Sequence, residues 1–178
     1  MRIKLVPFTE ADIDRLIGWI SSPELLLEWG GSGFSFPLDR DQLQKHLIDV
    51  AQDNPDRLIY SAVDVQTGQA VGHGEVLSID RHHRSATLGR ILVGPPDARG
   101  KGVGERIVRE LVRIAFQDLS LHRVALRVYD FNTAAIRCYR KVGFQQEGLL
   151  RDVHRFGDRY WSVYIMSVLE DQWRKVPS

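Results

Sequence analysis

Cysteine is almost absent from this sequence, since Cys138 is the only one among 178 residues. A single thiol excludes an intramolecular disulfide framework and a metal site built from several cysteines, and it favours a reducing compartment. No apolar run approaches the roughly 20 residues of a membrane span, and the first residues lack the apolar segment of a signal peptide. We therefore expect a cytoplasmic protein with no bound metal and no membrane partner.

An excess of charge is also missing, because 24 lysines and arginines are balanced by 23 aspartates and glutamates. Such a chain has no overall field that would draw it to nucleic acid, so no nucleic-acid partner is expected. A hydrophobic content of 43% is present and is enough for one substantial core. The length and composition predict a single domain over residues 1–178.

Strand signals dominate the first two thirds of the chain. A short strand is predicted at Ile3 to Val6, and three longer runs, separated by turn signals, predict an antiparallel meander. The runs are Leu58 to Val65, Ala70 to Asp80 and Ala86 to Val93. A buried strand at Val124 to Val128 and a closing hairpin, Phe144 to His154 with Tyr160 to Val168, complete the predicted sheet.

Helix signals fall between these strands. Thr9 with Asp12 predicts the start of a helix that runs through Trp19, and Pro23 is expected to stop it. Asp39 with Gln42 predicts a second start, before an apolar pattern that runs to Ala51. Further helices are predicted from Val103 to about Asp118 and from Asn132 to Gly143. The order of elements predicts an α+β fold with helices on both faces of one sheet.

A glycine-rich turn lies between a predicted strand and a predicted helix, with the sequence Arg99-Gly100-Lys101-Gly102-Val103-Gly104. Backbone N–H groups at such a helix start form an anion site, and glycines without Cβ atoms let a pyrophosphate approach. A P-loop is excluded because Lys101 is followed by Gly102 instead of Ser or Thr, and the dinucleotide fingerprint fails at Glu105. Phosphate binding is therefore favoured over a flexible connector.

Two further segments complete a resemblance to the GNAT superfamily of N-acetyltransferases. Arg99, Gly102 and Gly104 fit its acyl-CoA motif, and the segment from Asn132 to Phe144 is similar to its asparagine-to-Gly-Phe segment. The run Glu147-Gly148-Leu149-Leu150-Arg151 resembles the RimJ/RimL branch, which acetylates protein N-terminal amines and has close relatives that act on small amines.

The resemblance implies a mixed, mostly antiparallel sheet whose central strands splay apart and hold acetyl-CoA. The backbones of Ile91, Leu92 and Val93 would then face the pantetheine arm, with the Val93 amide bound to the thioester carbonyl. By the same resemblance Asn132 hydrogen-bonds the pantetheine region, and the acceptor is a small amine or a protein N-terminus. Both monomers and homodimers occur among such proteins.

Acetyl transfer requires a deprotonated amine, and Glu75 is the candidate base. Strand alternation places Glu75 and His73 on an otherwise apolar face with Val71, Leu77 and Ile79. The alternatives are a structural pair between Glu75 and His73, or an exposed carboxylate on a strand edge, and a bulge would reverse the faces. Water and His73 are the other candidate bases.

Tyr139 is the candidate acid that protonates the departing CoA thiolate, by resemblance to the family. It follows Asn132 by about two helical turns, so both side chains are expected to face the cofactor groove. Neighbouring Cys138 points about 100° away and is interpreted as a core residue instead of a nucleophile.

Three classes of function remain to be compared. The leading hypothesis is an acetyl-CoA-dependent N-acetyltransferase, and the alternative is a non-catalytic sensor that binds acyl-CoA. A nucleotide-binding module is disfavoured because the P-loop pattern fails.

Overall fold

The computed structural model describes residues 2–48, 50 and 54–175. Seven strands form one sheet in the order β1-β2-β3-β4-β5-β7-β6. All neighbouring pairs are antiparallel except β4 and β5, which are parallel. The strands are β1 (Ile3–Pro7), β2 (Leu58–Asp64), β3 (Ala70–Asp80), β4 (Ser85–Val93), β5 (Arg123–Tyr129), β6 (Gln145–Phe156) and β7 (Arg159–Leu169).

Within the described residues, six α-helices accompany the sheet: α1 (Ile13–Trp19), α2 (Pro23–Gly30), α3 (Arg40–Ile48), α4 (Val103–Arg113), α5 (Thr133–Val142) and α6 (Glu170–Trp173). A π-helical segment, Ile114–Asp118, extends α4 to the predicted end of that helix. The predicted α+β fold and the antiparallel meander of β2, β3 and β4 are confirmed.

The predicted end of α1 at Trp19 is confirmed, but the role predicted for Pro23 is wrong, because this residue begins helix α2. Ser22 is its N-cap and accepts a hydrogen bond from the Leu25 amide at 3.1 Å. Proline is favoured at this first position, where its missing N–H costs no intrahelical hydrogen bond. The sequence analysis therefore missed a whole helix, which turns out to form part of the candidate site.

The capping signal at the start of α3 is confirmed, since the Gln42 amide donates to Asp39 Oδ1 at 2.9 Å. The structure ends α3 at Ile48. Ala51, which the helical pattern included, lies outside the described residues.

Apolar side chains form one core on each face of the sheet. Helices α4 and α5 pack on the first face through Ile107, Leu111 and Val142, and helices α1, α2 and α3 pack on the second through Leu16, Leu26 and Leu43. Helices therefore cover both faces, as predicted.

Two glycines in β3 allow α4 to lie close to the sheet. A Cβ at Gly72 would come within 2.6 Å of Ile107 Cδ1, and one at Gly74 within 2.8 Å of Leu111 Cδ1. A Cβ at Gly72 would also come within 2.5 Å of the Leu92 backbone oxygen, so glycine is required there, whereas at Gly74 the Leu111 methyl group would have to shift.

The parallel pair separates halfway along β4. Residues Ser85 to Leu88 pair with Arg123 to Leu126 of β5, and no β5 partner follows for the described residues Gly89 to Val93. An extra residue in β4 near Arg90 marks the same point, because His73 faces Leu92 while Glu75 faces Gly89. Arg90 has a φ of +50° at this bulge. The predicted splay of the central strands is thus present as a gap beyond Leu88.

A second irregularity lies in β3 at Ser78, where φ is +49° and the pairing with β4 shifts between Leu77 and Asp80. Ile79 consequently packs in the first core, whereas strict alternation placed it on the face of Glu75. Among the described helices, none has the length and apolarity that a membrane crossing requires.

Candidate active site

A cavity of about 820 Å³ occupies the gap between β4 and β5. Its walls come from α2 and the glycines that follow it, the second half of β4, the end of β5 and the start of α5. The predicted residues on these walls are Ile91, Leu92, Val93, Arg99, Asn132 and Tyr139. Six of the predicted site residues therefore meet around one space.

The glycine-rich turn leads from the edge of this cavity into α4. Gly100 and Gly102 have φ values of +74° and +75°, which only glycine adopts without strain. Gly102 is the N-cap of α4 and supplies no side chain to the helix, so the first N–H groups of α4 have no side-chain cap. A Cβ at Gly104 would meet only Val93 Cγ2, at 3.6 Å. This open, uncapped helix start fits the pyrophosphate of acetyl-CoA.

The side chains of the turn contribute less than the sequence suggested. Arg99 donates to the carbonyl oxygens of Val93 and Gly94 at 3.1 and 3.0 Å, so it fixes the end of β4. Lys101 is exposed, and Val103 is buried in the first core. The backbone of residues 102–104 thus offers the hydrogen-bond donors, while Lys101 remains available to add charge.

The Val93 amide points into the gap. Gly94 donates its own amide to Val71 of β3 at 3.1 Å. Successive amides of a strand point to opposite sides, so the Val93 amide is directed away from β3, towards the diverging β5. This orientation fits a donor to the carbonyl oxygen of an acyl group held in the gap.

Tyr139 lies on the cavity wall with only 9% of its surface exposed. Burial, together with the charges of Cys138 and Glu28, raises the pKa of Tyr139 well above its usual value of 10. The hydroxyl therefore keeps its proton at neutral pH, as a general acid must.

Cys138 packs against the first core. Burial and the charge of Glu105 raise the pKa of this thiol to about 11. A thiol that keeps its proton at neutral pH is a poor nucleophile, in agreement with the core interpretation.

Asn132 performs the predicted capping role, because its Oδ1 accepts a hydrogen bond from the Ala135 amide at 3.0 Å. Gly143 ends the helix at a φ of 107°. The other end of the Asn132 side chain donates to Glu28 Oε1 at 2.6 Å. Both ends are thus engaged, and Asn132 connects α5 to α2.

Glu75 lies at the centre of a buried polar network instead of on the cavity wall. Its carboxylate is fully buried and accepts hydrogen bonds from three side chains. His73 Nε2 lies 3.0 Å from Oε1, Arg90 donates to Oε2 at 2.9 Å, and His46 Nε2 lies 3.0 Å from Oε2. The structural pair with His73, which the sequence analysis kept as an alternative, is present.

The partners of the two histidines fix their tautomers. Arg57 donates to His46 Nδ1 at 3.1 Å, so His46 carries its proton on Nε2 and donates it to Glu75. His73 likewise donates from Nε2, since its Nδ1 is buried without a hydrogen-bond partner among the described residues. Arg90 adds a positive charge beside the Glu75 carboxylate.

The network controls the ionisation of Glu75. Burial alone would raise the pKa of this carboxyl, but the hydrogen bonds from His46 and His73 and the positive charge of Arg90 outweigh it. The pKa is held well below its usual range, so Glu75 is ionised at every physiological pH and is a weak proton acceptor.

A second carboxylate, Glu28, was missed by the sequence analysis. It lies on α2, lines the cavity and is half-buried. Burial raises the pKa of Glu28, an effect that the hydrogen bond from Asn132 only partly opposes. The residues Ser22-Pro23-Glu24 are a helix-start signal that could have placed Glu28 on a helix.

Tyr129 and His154 were missed as well. Tyr129 is the last residue of β5, and its hydroxyl lies 2.7 Å from His154 Nδ1 and 3.3 Å from the Leu27 carbonyl oxygen. Burial and the charge of Glu28 raise the pKa of Tyr129 to about 12. Both residues line the cavity and add polar groups to its wall.

In the described part of the chain, no group of three or more His, Cys, Asp or Glu side chains is arranged to hold a metal ion. His83 in the turn after β3 contacts the Asp80 carboxylate at 2.8 Å and is exposed.

Comparison with protein families gives a match to the acetyltransferase (GNAT) domain over residues 2–145. Over 133 residues the chain is 28% identical to a spermidine N(1)-acetyltransferase of Vibrio cholerae, covering 75% of each protein. It is 28% identical over 146 residues to an aminoglycoside N(6')-acetyltransferase type 1 of Klebsiella pneumoniae, covering 79% of this chain and 72% of that protein.

An uncharacterised N-acetyltransferase of Bacillus licheniformis, p20, is 30% identical over 114 residues, which are 64% of this chain and 63% of p20. Among solved structures, the spermidine N-acetyltransferase of Vibrio cholerae in complex with CoA and spermine superimposes with a TM-score of 0.83. That superposition covers 98% of this chain and 99% of the other at 24% identity, and it shows a shared fold.

Proposed function

The chain belongs to the GNAT acetyltransferase family, and we propose that it transfers the acetyl group of acetyl-CoA directly to a primary amine of a small molecule. The observation that carries the proposal is the cavity in the gap between β4 and β5. It has the Val93 amide on one side, Tyr139 on another and the uncapped start of α4 at its edge.

Acetyl-CoA would supply an acetyl thioester, whose carbonyl carbon is the group transferred. The N–H groups of residues 102–104 would hold its pyrophosphate, with Lys101 adding positive charge from the surface. Ile91, Leu92 and Val93 would line the pantetheine arm, and the Val93 amide would hold the carbonyl oxygen. Arg99, tied to Val93 and Gly94, would keep this end of β4 in position.

Tyr139 would donate its proton to the CoA thiolate. A buried tyrosine with a raised pKa holds that proton throughout the range in which a thiolate of ordinary pKa near 8.5 requires one. Protonation removes the nucleophile that would reverse the reaction.

Glu75 is proposed to receive the acceptor's proton only through a water, because its carboxylate is enclosed by His46, His73 and Arg90. Arg90 belongs both to this network and to the cavity wall, so it marks the point where such a water would enter. The low pKa of Glu75 limits how strongly it can drive this step.

Relatives named for spermidine and for aminoglycosides support a small polycationic acceptor. The finer RimJ/RimL-like prediction, a protein N-terminal α-amine, rests on the segment Glu147 to Arg151, which lies on β6. The small amine is the acceptor we favour.

A CoA-release assay across acceptor classes tests the proposal. Polyamines and aminoglycosides should release CoA in step with acetylated product, whereas N-terminal peptides should not. CoA binding without release in the presence of any amine would instead identify a non-catalytic acyl-CoA sensor and would contradict the proposed activity.

A further inference from the structure

We propose that Glu28 anchors a second, positively charged amine of the acceptor, so that the enzyme selects diamines and polyamines over monoamines. The inference rests on the proposed function and deepens it by naming the acceptor class. Nothing in the sequence pattern pointed to this residue.

The charge balance of the cavity wall is the first observation. Among the described residues that line the cavity, Glu28 is the one carboxylate. Three arginines also line it, of which Arg90 is paired with Glu75 and Arg99 donates to the Val93 and Gly94 carbonyl oxygens, while Arg127 is exposed. A cationic acceptor that enters this space therefore finds its carboxylate partner, among the described lining residues, in Glu28.

The fixed position of Glu28 is the second observation. Its neighbours on both sides tie α2 to the sheet, since Trp29 Nε1 donates to the Arg90 carbonyl oxygen at 2.8 Å and the Leu27 carbonyl oxygen accepts from Tyr129. Asn132 holds Oε1 at 2.6 Å. Because these contacts set the side chain in place, a ligand cation would not have to order it first.

The missing partner is the third observation. In the described part of the chain, no lysine or arginine forms an ion pair with Glu28, and the neutral Asn132 amide donates a hydrogen bond to it. Burial without a counter-ion raises the pKa of this carboxyl. An ammonium group bound at Oε2 would supply the missing charge and offset the cost of burial.

Acceptor pairs of equal length test the proposal in the wild type and in Glu28→Gln. In the wild type kcat/KM should be higher for 1,4-diaminobutane than for n-butylamine or 4-amino-1-butanol at pH 7.5. In Glu28→Gln, kcat/KM for the diamine should fall roughly 10- to 100-fold, mainly through KM, while the two monoamines change little. The KM for acetyl-CoA should be unchanged.

Glu24→Gln is the matched control, because Glu24 is exposed on the first turn of the same helix and does not line the cavity. It should leave the preference for the diamine intact. Equal losses for the diamine and the monoamines in Glu28→Gln would show a merely structural role and would overturn the proposal, as would a wild type that does not prefer the diamine.

Calorimetric titration of 1,4-diaminobutane into CoA-saturated protein separates this inference from the proposed function. Weaker binding in Glu28→Gln supports the anchor even if no amine is acetylated, a result that would refute only the acetyltransferase activity. Unchanged binding in the folded variant overturns the anchor even if acetylation proceeds.

Discussion

Tyr139 combines a core position with a place on the cavity wall, and its hydroxyl can be tested separately from its ring. Tyr139→Phe retains the packing against Phe144, whose ring centroid lies 6.0 Å away. Loss of a general acid typically slows turnover by about 100-fold or more, so kcat should fall by that order while the melting temperature and the KM for acetyl-CoA stay near the wild-type values. Steady-state kinetics and thermal unfolding measure both.

The direction of the Tyr139 pKa adds a pH test. Because burial raises it, any loss of wild-type kcat through ionisation of this hydroxyl must occur above pH 10. A kcat in Tyr139→Phe equal to that of the wild type would show that water protonates the thiolate.

Glu75→Gln tests the buried network through stability. Loss of the carboxylate leaves the Arg90 charge without its partner, so the free energy of unfolding at pH 7 should fall by about 3–5 kcal/mol. The folded-state pKa lies below the ordinary 4.5, so the stabilisation is fully present above about pH 4.5 and is lost as the pH falls towards the folded value. Urea unfolding of the wild type and of Glu75→Gln should give a difference in unfolding free energy that is constant from pH 7 to about pH 4.5. The difference should then shrink towards pH 3.

The same variant tests proton transfer. If Glu75 receives the acceptor's proton through water, kcat also falls, and the acid limb that Glu75 contributes to the wild-type profile lies below pH 4.5. A folded Glu75→Gln with wild-type kcat would show that Glu75 only holds Arg90. A difference in unfolding free energy that does not shrink between pH 4.5 and pH 3 would contradict the ion pair.

At this scale the sequence could identify single residues but not their partners. Glu75 and His73 were recognised because they interrupt one apolar strand. His46 and Arg90 come from elements far apart in the chain, and neither is marked by local spacing as a partner of Glu75. Glu28 was missed for the same reason, since its significance lies in the cavity that α2, β5 and α5 form together.

Helix α4 and the glycine turn before it form the element proposed to bind the pyrophosphate of acetyl-CoA. Gly104→Asp should preserve or slightly raise stability, because an acidic residue favours the first turn of a helix and a Cβ there meets only Val93 at 3.6 Å. It should weaken acetyl-CoA binding strongly, since the carboxylate repels the pyrophosphate. Calorimetric titration of acetyl-CoA measures the loss.

Gly104→Asn is the matched control, with the same shape and no charge. Binding should be weaker than in the wild type but stronger than in Gly104→Asp. Gly102 is a less suitable position for this test, because its φ of +75° would strain any replacement. If Gly104→Asp and Gly104→Asn bind acetyl-CoA with equal affinity, the pyrophosphate does not bind at this turn.

Strands and helices that are marked by local sequence patterns were predicted with bounds close to the observed ones. The strand Ala70–Asp80 was predicted with its observed bounds, and the helix from Asn132 to Gly143 was recognised from its two caps. Helix α2 was missed because Pro23 was interpreted only as a helix stop, although it also suits a helix start. The bulge at Arg90 has no local signal, since a φ of +50° at an arginine is imposed by its contacts with Glu75 and Phe34.

The sheet of the whole molecule is divided at one place, and the donor side and the acceptor side of the cavity are built from different elements. Helix α4 and the glycine turn follow β4, whereas α2 comes from the N-terminal third and Tyr129 from β5. The family resemblance implied this division. The acceptor side had to come from the structure, because it depends on long-range packing of α2 against β4.

Amide-resolved hydrogen exchange, with and without acetyl-CoA, tests the central claim most directly. Acetyl-CoA should slow exchange at Val93 and at the amides of residues 102–104 at the start of α4, because these N–H groups would bind the thioester carbonyl and the pyrophosphate. Exchange in β1 and in the turn at residues 81–84 should not change. Unchanged exchange at Val93 and at the start of α4 when acetyl-CoA is saturating would contradict the placement of the acyl donor in the gap between β4 and β5.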